Sequence, residues 1–270
     1  MVKDFLKHYN KVGYFLFKGF YEKDYITSLK NSIAKLDPKV YIPYSRTPWG
    51  YGNLKNKVPF SNILFEKKLN AICSEILDAD YTYNHVMLVN KAAWIGPDVE
   101  WHQEAFNMQT YAPGCNPMAD WKKFMQIFIA IDDHKIQNGC LKVIPKSHNE
   151  GILPYEDLVN INYSHKRRVQ ETAMDKLYKK YGFADIEMEK GDLLIFNHLL
   201  VHGSSTNISP DSRLSLLIQA QEMGLKKDEK IFSDETKFRK KFIIDCLQKK
   251  IDQLKSGNMY KDFNEENKLK

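Results

Sequence analysis

Hydrophobic and polar positions repeat in two ways along the chain, first with the period of a helix and then with that of a strand. A short, aromatic-rich strand is predicted over 13–20, followed by helices over 22–36 and about 64–77. The first helix has one apolar face, formed by Ile26, Leu29, Ile33 and Leu36. Pro38 ends this helix because proline and its predecessor both resist helical continuation.

From residue 81 onwards the pattern changes to short β-type runs separated by turn signals. The clearest runs are 83–90, 124–131, 140–144, 192–196 and 214–220. Turn-forming pairs such as Asn138-Gly139 lie between them. Because the runs follow one another without regular crossover helices, we expect a sandwich or jelly-roll barrel rather than a parallel α/β sheet.

Three segments stand outside this strand pattern. Residues 39–62 are rich in Tyr, Pro, Gly and Asn and are expected to form a long loop, while 151–185 form a charged, partly helical insertion. An amphipathic helix is predicted over 236–254. We therefore expect a domain over 1–222, with N-terminal helices and the insertion, and a C-terminal helical extension of that domain over 223–270.

Charge and cysteine content argue against several classes of protein. The 270 residues carry a formal net charge of +6, from 40 Lys+Arg against 34 Asp+Glu, spread along the chain without a nucleic-acid-binding motif. The four cysteines form no CxxC pair, and no run approaches the roughly 18 apolar residues of a membrane span. The charged N-terminus has no signal-peptide core. We expect a cytoplasmic monomer or homodimer that binds a small molecule, and neither nucleic acid nor membrane.

Candidate chemistry begins in the sequence EWHQE at 100–104. If this segment is extended, His102 and Glu104 point to the same face of a strand. One imidazole and one carboxylate are two of the three ligands in the facial triad of non-haem iron(II) oxygenases. His202 is the best candidate for the third ligand, with His198 as its competitor. A His-x-Glu tripeptide alone is more often a solvated surface feature, so the residues around it decide.

Two residues further along the chain, Ser204 and Arg213, connect these candidate ligands to a reaction mechanism. If 199–204 are extended, Ser204 shares the face of His202, and Arg213 then opens the next antiparallel strand. A guanidinium binds a carboxylate in a bidentate manner and is always charged, so Arg213 suits the distal carboxylate of 2-oxoglutarate. A lone Arg at the start of a strand is otherwise an ordinary surface charge.

Taken together, these blocks resemble the phytanoyl-CoA dioxygenase family. The matching motifs are MLVNK at 87–91, WHQE at 101–104, NGCLKVIPKSH at 138–148, EKGDLLIFNHLLVHGSSTN at 189–207, and Arg213 within SRLSLLIQ. The resemblance runs from about Gly13 to Ala220. It implies a double-stranded β-helix, that is, a cupin-like jelly roll, as the core of a mainly β fold with flanking helices.

The resemblance also implies roles for individual residues. Iron would be held by His102, Glu104 and His202, and 2-oxoglutarate by Ser204 and Arg213. Two further residues are candidates at the cosubstrate: Trp121, near where the family often places an aromatic, and Lys91. Family members usually carry Asp at the carboxylate position, where this chain has Glu104. Related halogenases lack a carboxylate there, so Glu104 argues against halogenation.

The substrate pocket is expected just after the first two ligands and in the early loop. The candidates are Phe106, Asn107, Gln109, Tyr111, Trp49 and Arg46. Each aromatic, taken alone, is more often part of a barrel core. The basic run 165–168 could cover an anionic substrate, although a solvated loop face is the commoner role.

The sequence therefore predicts an Fe(II)- and 2-oxoglutarate-dependent dioxygenase. It would use O₂ to hydroxylate an unactivated C–H bond of a small polar or anionic molecule, while 2-oxoglutarate is decarboxylated to succinate and CO₂. The same iron centre could instead perform desaturation or cyclisation. A catalytically silent jelly-roll binding protein is a third alternative. A zinc hydrolase is weaker, because it leaves Ser204 and Arg213 without a role.

Overall fold

The computed structural model describes residues 2–35, 47–50, 60–94, 96–107, 121–158 and 167–223. Within these ranges the helices are α1 (Val2–Val12), α2 (Lys23–Ala34), α3 (Phe60–Leu64), α4 (Lys67–Leu77) and α5 (Glu171–Tyr181). In α2, Ile26, Leu29 and Ile33 form a buried stripe at helical spacing. Helix α4 begins after Glu66, whose carboxylate accepts from the Lys68 amide at 3.1 Å.

Twelve strands lie in the same ranges. They are β1 (Tyr14–Phe17), β2 (Thr47–Gly50), β3 (Tyr81–Lys91), β4 (Val99–His102), β5 (Phe124–Ala130), β6 (Leu141–Val143), β7 (Tyr155–Asp157), β8 (Arg167–Val169), β9 (Ala184–Ile186), β10 (Leu193–Asn197), β11 (His202–Ser204) and β12 (Arg213–Glu222). The larger sheet has the order β1-β10-β5-β12-β3-β2, and the smaller one β4-β11-β6-β9. Strands β7 and β8 form a separate hairpin. All of the paired strands are antiparallel.

Side chains alternate between the two faces of the larger sheet, as the period of a strand requires. On β5 and β12, Ile127, Ile129, Leu216 and Ile218 belong to one apolar cluster with the buried residues of α2 and α4. Phe128 and Leu217 point the other way, into a cluster with Leu141 and Val143 of the smaller sheet. Helices thus cover the outer face, and the two sheets enclose the inner core. The predicted jelly roll with flanking helices is confirmed.

Most predicted elements are found, with some differences. The five β-type runs correspond to β3, β5, β6, β10 and β12, and the helix over 22–36 corresponds to α2. The prediction of a continuous loop over 39–62 is wrong, because β2 pairs with β3 and α3 begins at Phe60. Helix α1 was not located from the sequence. The amphipathic helix over 236–254 lies outside the described residues, so the division at 222 stays a prediction.

The predicted insertion over 151–185 contains the hairpin β7–β8 and helix α5. Its end, from Ala184, joins the smaller sheet because β9 pairs with β6. In the part of the chain that the structure describes, no helix has both the length and the apolar character needed to cross a bilayer.

Candidate metal centre

Two histidines from distant parts of the chain meet at the edge of the smaller sheet. His102 ends β4 and His202 opens β11, and the two are cross-strand partners. Glu104 completes the group: the candidate ligand atoms of all three residues lie within 4.8 Å of one another. The Glu104 Oε1 is 3.6 Å from the His102 Nε2 and 3.4 Å from the His202 Nε2. All three side chains are buried.

The local backbone differs from the prediction in one respect. The expected extended segment over 100–104 ends at His102, and Glu104 is the first residue of a 3-10 turn, Glu104–Asn107. The prediction that Glu104 continues the strand is therefore wrong. The turn still brings its carboxylate to the imidazoles, because Gln103 points away from them into the protein.

Gln103 is fully buried and fully hydrogen-bonded. Its amide donates to the carbonyls of Gly151 at 2.9 Å and Leu199 at 2.7 Å, and its oxygen accepts from the Leu153 amide at 2.9 Å. The residue between the two predicted ligands thus ties their segment to the turn before β11 and to the 151–153 segment. Sequence reasoning assigned it no role.

The hydrogen bonds of both imidazoles leave the Nε2 atoms directed at the carboxylate. The Nδ1 of His102 lies 2.7 Å from the Glu100 carbonyl, and that of His202 lies 2.9 Å from the Leu200 carbonyl. A carbonyl can only accept, so each Nδ1 carries a proton, and in the neutral imidazole the Nε2 then keeps its lone pair. Metal-ligating histidines are usually held in this way, with the second nitrogen donating to a carbonyl or carboxylate.

The protonation states also suit a divalent cation. Burial, together with the neighbouring His202, lowers the pKa of His102 to about 4, so this imidazole is neutral. Burial alone would raise the pKa of Glu104, but the two histidine side chains beside its carboxylate hold that pKa well below its usual value. Two imidazoles and one carboxylate form the donor set of a non-haem iron(II) site, so the residues present fit this metal.

His198, the alternative ligand, lies outside this group. Its side chain is fully buried, its Nδ1 is 3.1 Å from the Gln126 Nε2, and its ring stacks on Phe124 at a centroid distance of 5.0 Å. Burial lowers its pKa to about 4. Of the two candidates, His202 is the one placed with His102 and Glu104.

The cosubstrate candidates converge beyond the end of the smaller sheet. Arg213 opens β12 directly opposite Lys91, the last residue of β3, and both side chains are buried. Arg213 donates to the Gly139 carbonyl at 2.6 Å, and Lys91 donates to the carbonyl of Ser205 at 2.5 Å and to that of Pro97. Two like charges buried side by side favour an anion between or beside them.

Ser204 belongs to the same region. It is buried in β11, two residues after His202, and pairs with Leu141, which follows Gly139 closely along the chain. Gly139 has φ +72°, and a Cβ there would collide with the Ser205 carbonyl and come within 3.1 Å of Lys91. The Asn-Gly turn therefore allows the close approach of these segments, which explains why glycine is required at 139.

Sequence reasoning gave His134 no functional role. It is fully buried, and its Nε2 lies 3.1 Å from the Ser215 hydroxyl, two residues after Arg213. Burial and the charge of Arg213 hold the pKa of His134 well below its usual value, so it adds no further positive charge beside the arginine. In the sequence, Ser215 lies two residues after Arg213 and therefore on the same face of the strand. This spacing was the signal that could have indicated a polar contact beside the arginine.

The predicted substrate residues are less fully described. Phe106 is buried in an apolar cluster with Ile144, Val169, Met174, Leu177 and Val201, and its ring lies 4.7 Å from that of Tyr155. Trp49, Asn107 and Trp121 have described backbones in β2 and in two 3-10 turns, but their side chains are outside the description. Gln109, Tyr111 and Arg46 lie outside the described residues. All of these roles stay predictions.

Comparisons with solved structures agree with this fold. EctD from S. alaskensis, solved with 2-oxoglutarate and 5-hydroxyectoine, is similar with a TM-score of 0.66 at 16% identity, over 83% of this chain and 77% of that one. The carbocyclase SnoK from nogalamycin biosynthesis, described as non-haem and alpha-ketoglutarate-dependent, is similar with a TM-score of 0.62 at 13% identity, over 82% and 83% of the two chains. At such identities these likenesses establish the fold.

Sequence comparisons identify the family. The "Phytanoyl-CoA dioxygenase domain-containing protein 1 homolog" of Dictyostelium discoideum is 27% identical over 213 residues, covering 77% of this chain and 66% of that protein. The chain spans between 41% and 66% of the length of the first curated relatives that it matches. The family model described as "Phytanoyl-CoA dioxygenase (PhyH)" matches residues 9–215, which is most of the chain. The resemblance seen in the motifs is thus confirmed, and the protein belongs to the phytanoyl-CoA dioxygenase family.

Proposed function

We propose that this protein is an Fe(II)- and 2-oxoglutarate-dependent oxygenase. It hydroxylates an unactivated C–H bond of a small polar or anionic molecule and converts 2-oxoglutarate to succinate and CO₂. The observation that carries the proposal is the group of His102, Glu104 and His202, whose candidate ligand atoms lie within 4.8 Å of one another in a buried position. Family membership and the fold support the same activity.

The three residues would hold the iron through two Nε2 atoms and one carboxylate. When bound, the metal supplies O₂ activation coupled to decarboxylation of the cosubstrate, chemistry that side chains alone cannot perform. Three protein ligands leave the other coordination positions open. The backbone carbonyls of Glu100 and Leu200 keep the imidazoles in the ligating tautomer.

Arg213, Lys91 and Ser204 would hold 2-oxoglutarate. The Arg213 guanidinium suits the distal carboxylate because it offers a planar pair of donors, and the Gly139 carbonyl fixes its orientation. Lys91 lies opposite Arg213 and adds a second positive charge, while the Ser204 hydroxyl can donate to the same anion. Trp121 is proposed as an aromatic neighbour of the cosubstrate.

The chain around the centre keeps bulk water away. The Phe196 ring lies 4.8 Å from the His202 ring, and Phe128 and Leu217 fill the inner core beyond it. A dry site of this kind strengthens each charge interaction and limits side reactions.

For the substrate we propose contacts from Phe106, Asn107, Gln109, Tyr111, Trp49 and Arg46. We also propose that 223–270 is a helical extension of the same domain and that the protein works in the cytoplasm as a monomer or homodimer.

Two alternatives lead to different experimental outcomes. A carbocyclase shares this fold, so the same centre could carry out desaturation or cyclisation when the substrate is placed differently. A silent binding protein with a vestigial site would have no reason to keep both imidazoles in the ligating tautomer.

The proposal is tested with protein loaded with Fe(II) and 2-oxoglutarate and screened against a metabolite library for substrate-stimulated succinate formation. Succinate is expected with the wild type and with His8→Ala, which replaces an exposed histidine of α1, and none with His202→Ala. A wild type that forms no succinate under any condition, with no thermal shift on adding Mn(II) and 2-oxoglutarate, would support the silent alternative.

A further inference from the structure

A row of amide side chains crosses the inner face of the larger sheet at the level of the metal centre. Gln126 of β5 has Phe196 as its partner on one side and Gln219 of β12 on the other. The Phe196 ring lies against the ring of His202. Neighbouring strands are about 4.8 Å apart, so Gln126 and Gln219 are one and two strands away from a residue that touches a proposed metal ligand.

This row lies on the side of the sheet away from the proposed cosubstrate site. Gln219 and Arg213 are both on β12, six residues apart, and a strand rises about 3.4 Å per residue. Their backbones are therefore about 20 Å apart. The inner-facing residues between them include Leu217, which packs with Phe128. The amide row thus borders the metal centre from the side opposite to Arg213.

His198 extends the row towards the metal ligands. The Gln126 amide lies 3.1 Å from its Nδ1, and Phe124 stacks on its ring. When Gln126 donates this hydrogen bond, the proton of the neutral imidazole is on Nε2. The His198 carbonyl accepts from the amide of Ala105, the residue after Glu104, so the histidine is tied to the ligand-bearing segment.

Two donors in this group have no acceptor within the described parts of the chain. They are the His198 Nε2 and the Gln219 Nε2, on side chains that are 0% and 3% exposed. Leaving a buried donor unsatisfied costs about 1–3 kcal/mol, so such groups in a native protein require an explanation. Two of them on the inner face of the sheet, in the row of residues that begins at Phe196 beside His202, are explained if a ligand brings the acceptor.

The charges around His198 and Gln219 restrict which acceptor atom a ligand can bring. The described side chains of the group are Phe124, Gln126, His198, Gln219 and Gln221, and the anion that acts on the His198 imidazole is the Glu104 carboxylate, which disfavours a second anion there. The backbones of the buried cations Arg213 and Lys91 lie at the other end of the sheet, and the Arg213 guanidinium reaches as far as the Phe128 ring, 5.7 Å from its centroid. A buried carboxylate needs a paired charge, whereas a carbonyl oxygen needs only donors and can accept from two at once.

We propose that His198 and Gln219 bind the substrate by donating hydrogen bonds to an uncharged carbonyl oxygen, of the amide, lactam or ester class. This inference rests on the proposed oxygenase function and selects the polar, uncharged kind of substrate. Gln126 positions His198 by holding its Nδ1 as an acceptor.

The experiment uses the full chain loaded with Mn(II) and 2-oxoglutarate without O₂. Mn(II) is paramagnetic and broadens the NMR lines of any probe that binds close to it. Three five-membered-ring probes are compared: 2-pyrrolidinone as a neutral lactam, pyrrolidine as a cation and cyclopentanecarboxylate as an anion. The lactam is expected to be broadened most.

Variants assign the effect to the two donors. Gln219→Met and His198→Phe keep side-chain size and remove one donor each, and each is expected to weaken lactam binding about tenfold. Affinities for Mn(II) and 2-oxoglutarate should stay within about twofold. Gln137→Met is the matched control at an exposed glutamine and should change nothing. Gln219→Met should also raise the Tm, since an apolar side chain replaces an unsatisfied donor.

Each other outcome counts against one specific statement. Equal lactam broadening in wild type and both variants, stronger broadening of the anion, or no broadening of the lactam with Mn(II) and 2-oxoglutarate bound would overturn the subsite. Failure of the wild type to bind Mn(II) or 2-oxoglutarate would instead overturn the proposed function. If Gln219→Met lowers the Tm, the role of Gln219 is structural. Lactam binding by His198→Phe then decides whether a carbonyl subsite exists.

Discussion

His102 and His202 face each other across two antiparallel strands, with their ring centroids 4.1 Å apart. The pairing joins the end of β4 to the start of β11, which is also paired with β6. A metal bound by these two residues and Glu104 would therefore link segments that are a hundred positions apart in the sequence. Because the unfolded chain does not hold this arrangement, metal binding is coupled to folding stability.

The first prediction concerns metal addition and removal. At a free Mn(II) concentration a hundred times its Kd, binding adds about 2.7 kcal/mol to the free energy of unfolding. For a domain of this size we expect the Tm to rise by roughly 5–10 °C, and to return when the metal is chelated. Differential scanning calorimetry of wild type and His202→Ala checks this, and an equal rise in both proteins would contradict the site.

The second prediction concerns Gln103, which we infer positions His102 and Glu104. Gln103→Leu leaves the carbonyls of Gly151 and Leu199 and the Leu153 amide without their partner. We expect a loss of about 3 kcal/mol in the free energy of unfolding and metal binding weakened roughly tenfold. Urea denaturation and Mn(II) titration measure the two effects. Gln137→Leu, at an exposed glutamine, is the control.

A purely structural role for Gln103 would give a different pattern. The variant would then lose stability but bind Mn(II) as tightly as the wild type at temperatures where both are folded. That result would show that the ligand segment keeps its geometry without the three hydrogen bonds of this amide.

The third prediction concerns Arg213. Arg213→Lys keeps the positive charge but loses the planar pair of donors and the hydrogen bond to Gly139. We expect the KM for 2-oxoglutarate to rise at least about thirtyfold with little change in Mn(II) affinity, because truncating a buried charge–hydrogen-bond partner costs at least about 2 kcal/mol. Succinate formation at varied 2-oxoglutarate concentration measures this. An unchanged KM in Arg213→Ala would remove Arg213 from the cosubstrate site.

The sequence predicts the fold and the grouping of His102, Glu104 and His202 because these features leave local signals. The runs that became β5, β10 and β12 are mainly apolar and are buried along nearly their whole length, as strands covered on both faces are. His202 and Ser204 lie on one face because β11 has the two-residue period of a strand. The order of motifs along the chain supplied the family.

Other features depend on long-range contacts that leave no local pattern. Glu104 lies outside the strand because the Gln103 side chain donates hydrogen bonds to the buried carbonyls of Gly151 and Leu199. The pairing of β2 with β3 could not be seen, because a Pro-containing four-residue strand resembles a loop. The donor group at His198 and Gln219 arises from the register between β5, β10 and β12, and register is set by the whole sheet.

The last prediction concerns pH and uses His198. Its pKa in the folded protein is about 4, lowered from 6.5 first by burial and also by His202, while Glu104 acts in the opposite direction. Between these two pH values the unfolded chain binds a proton at residue 198 that the folded protein does not bind. The free energy of unfolding therefore falls as the pH falls from 6.5 to 4, and this group contributes about 3 kcal/mol to the loss.

Replacing His198 by Phe removes this difference in bound protons between the folded and unfolded states, and it keeps a ring against Phe124. We expect the variant to lose about 3 kcal/mol less than the wild type between pH 7 and pH 4, measured by urea denaturation of the metal-free proteins. His8→Phe, which makes the same replacement at an exposed histidine of α1, is the control. Parallel curves for wild type and His198→Phe would show that this imidazole is not buried in its neutral form.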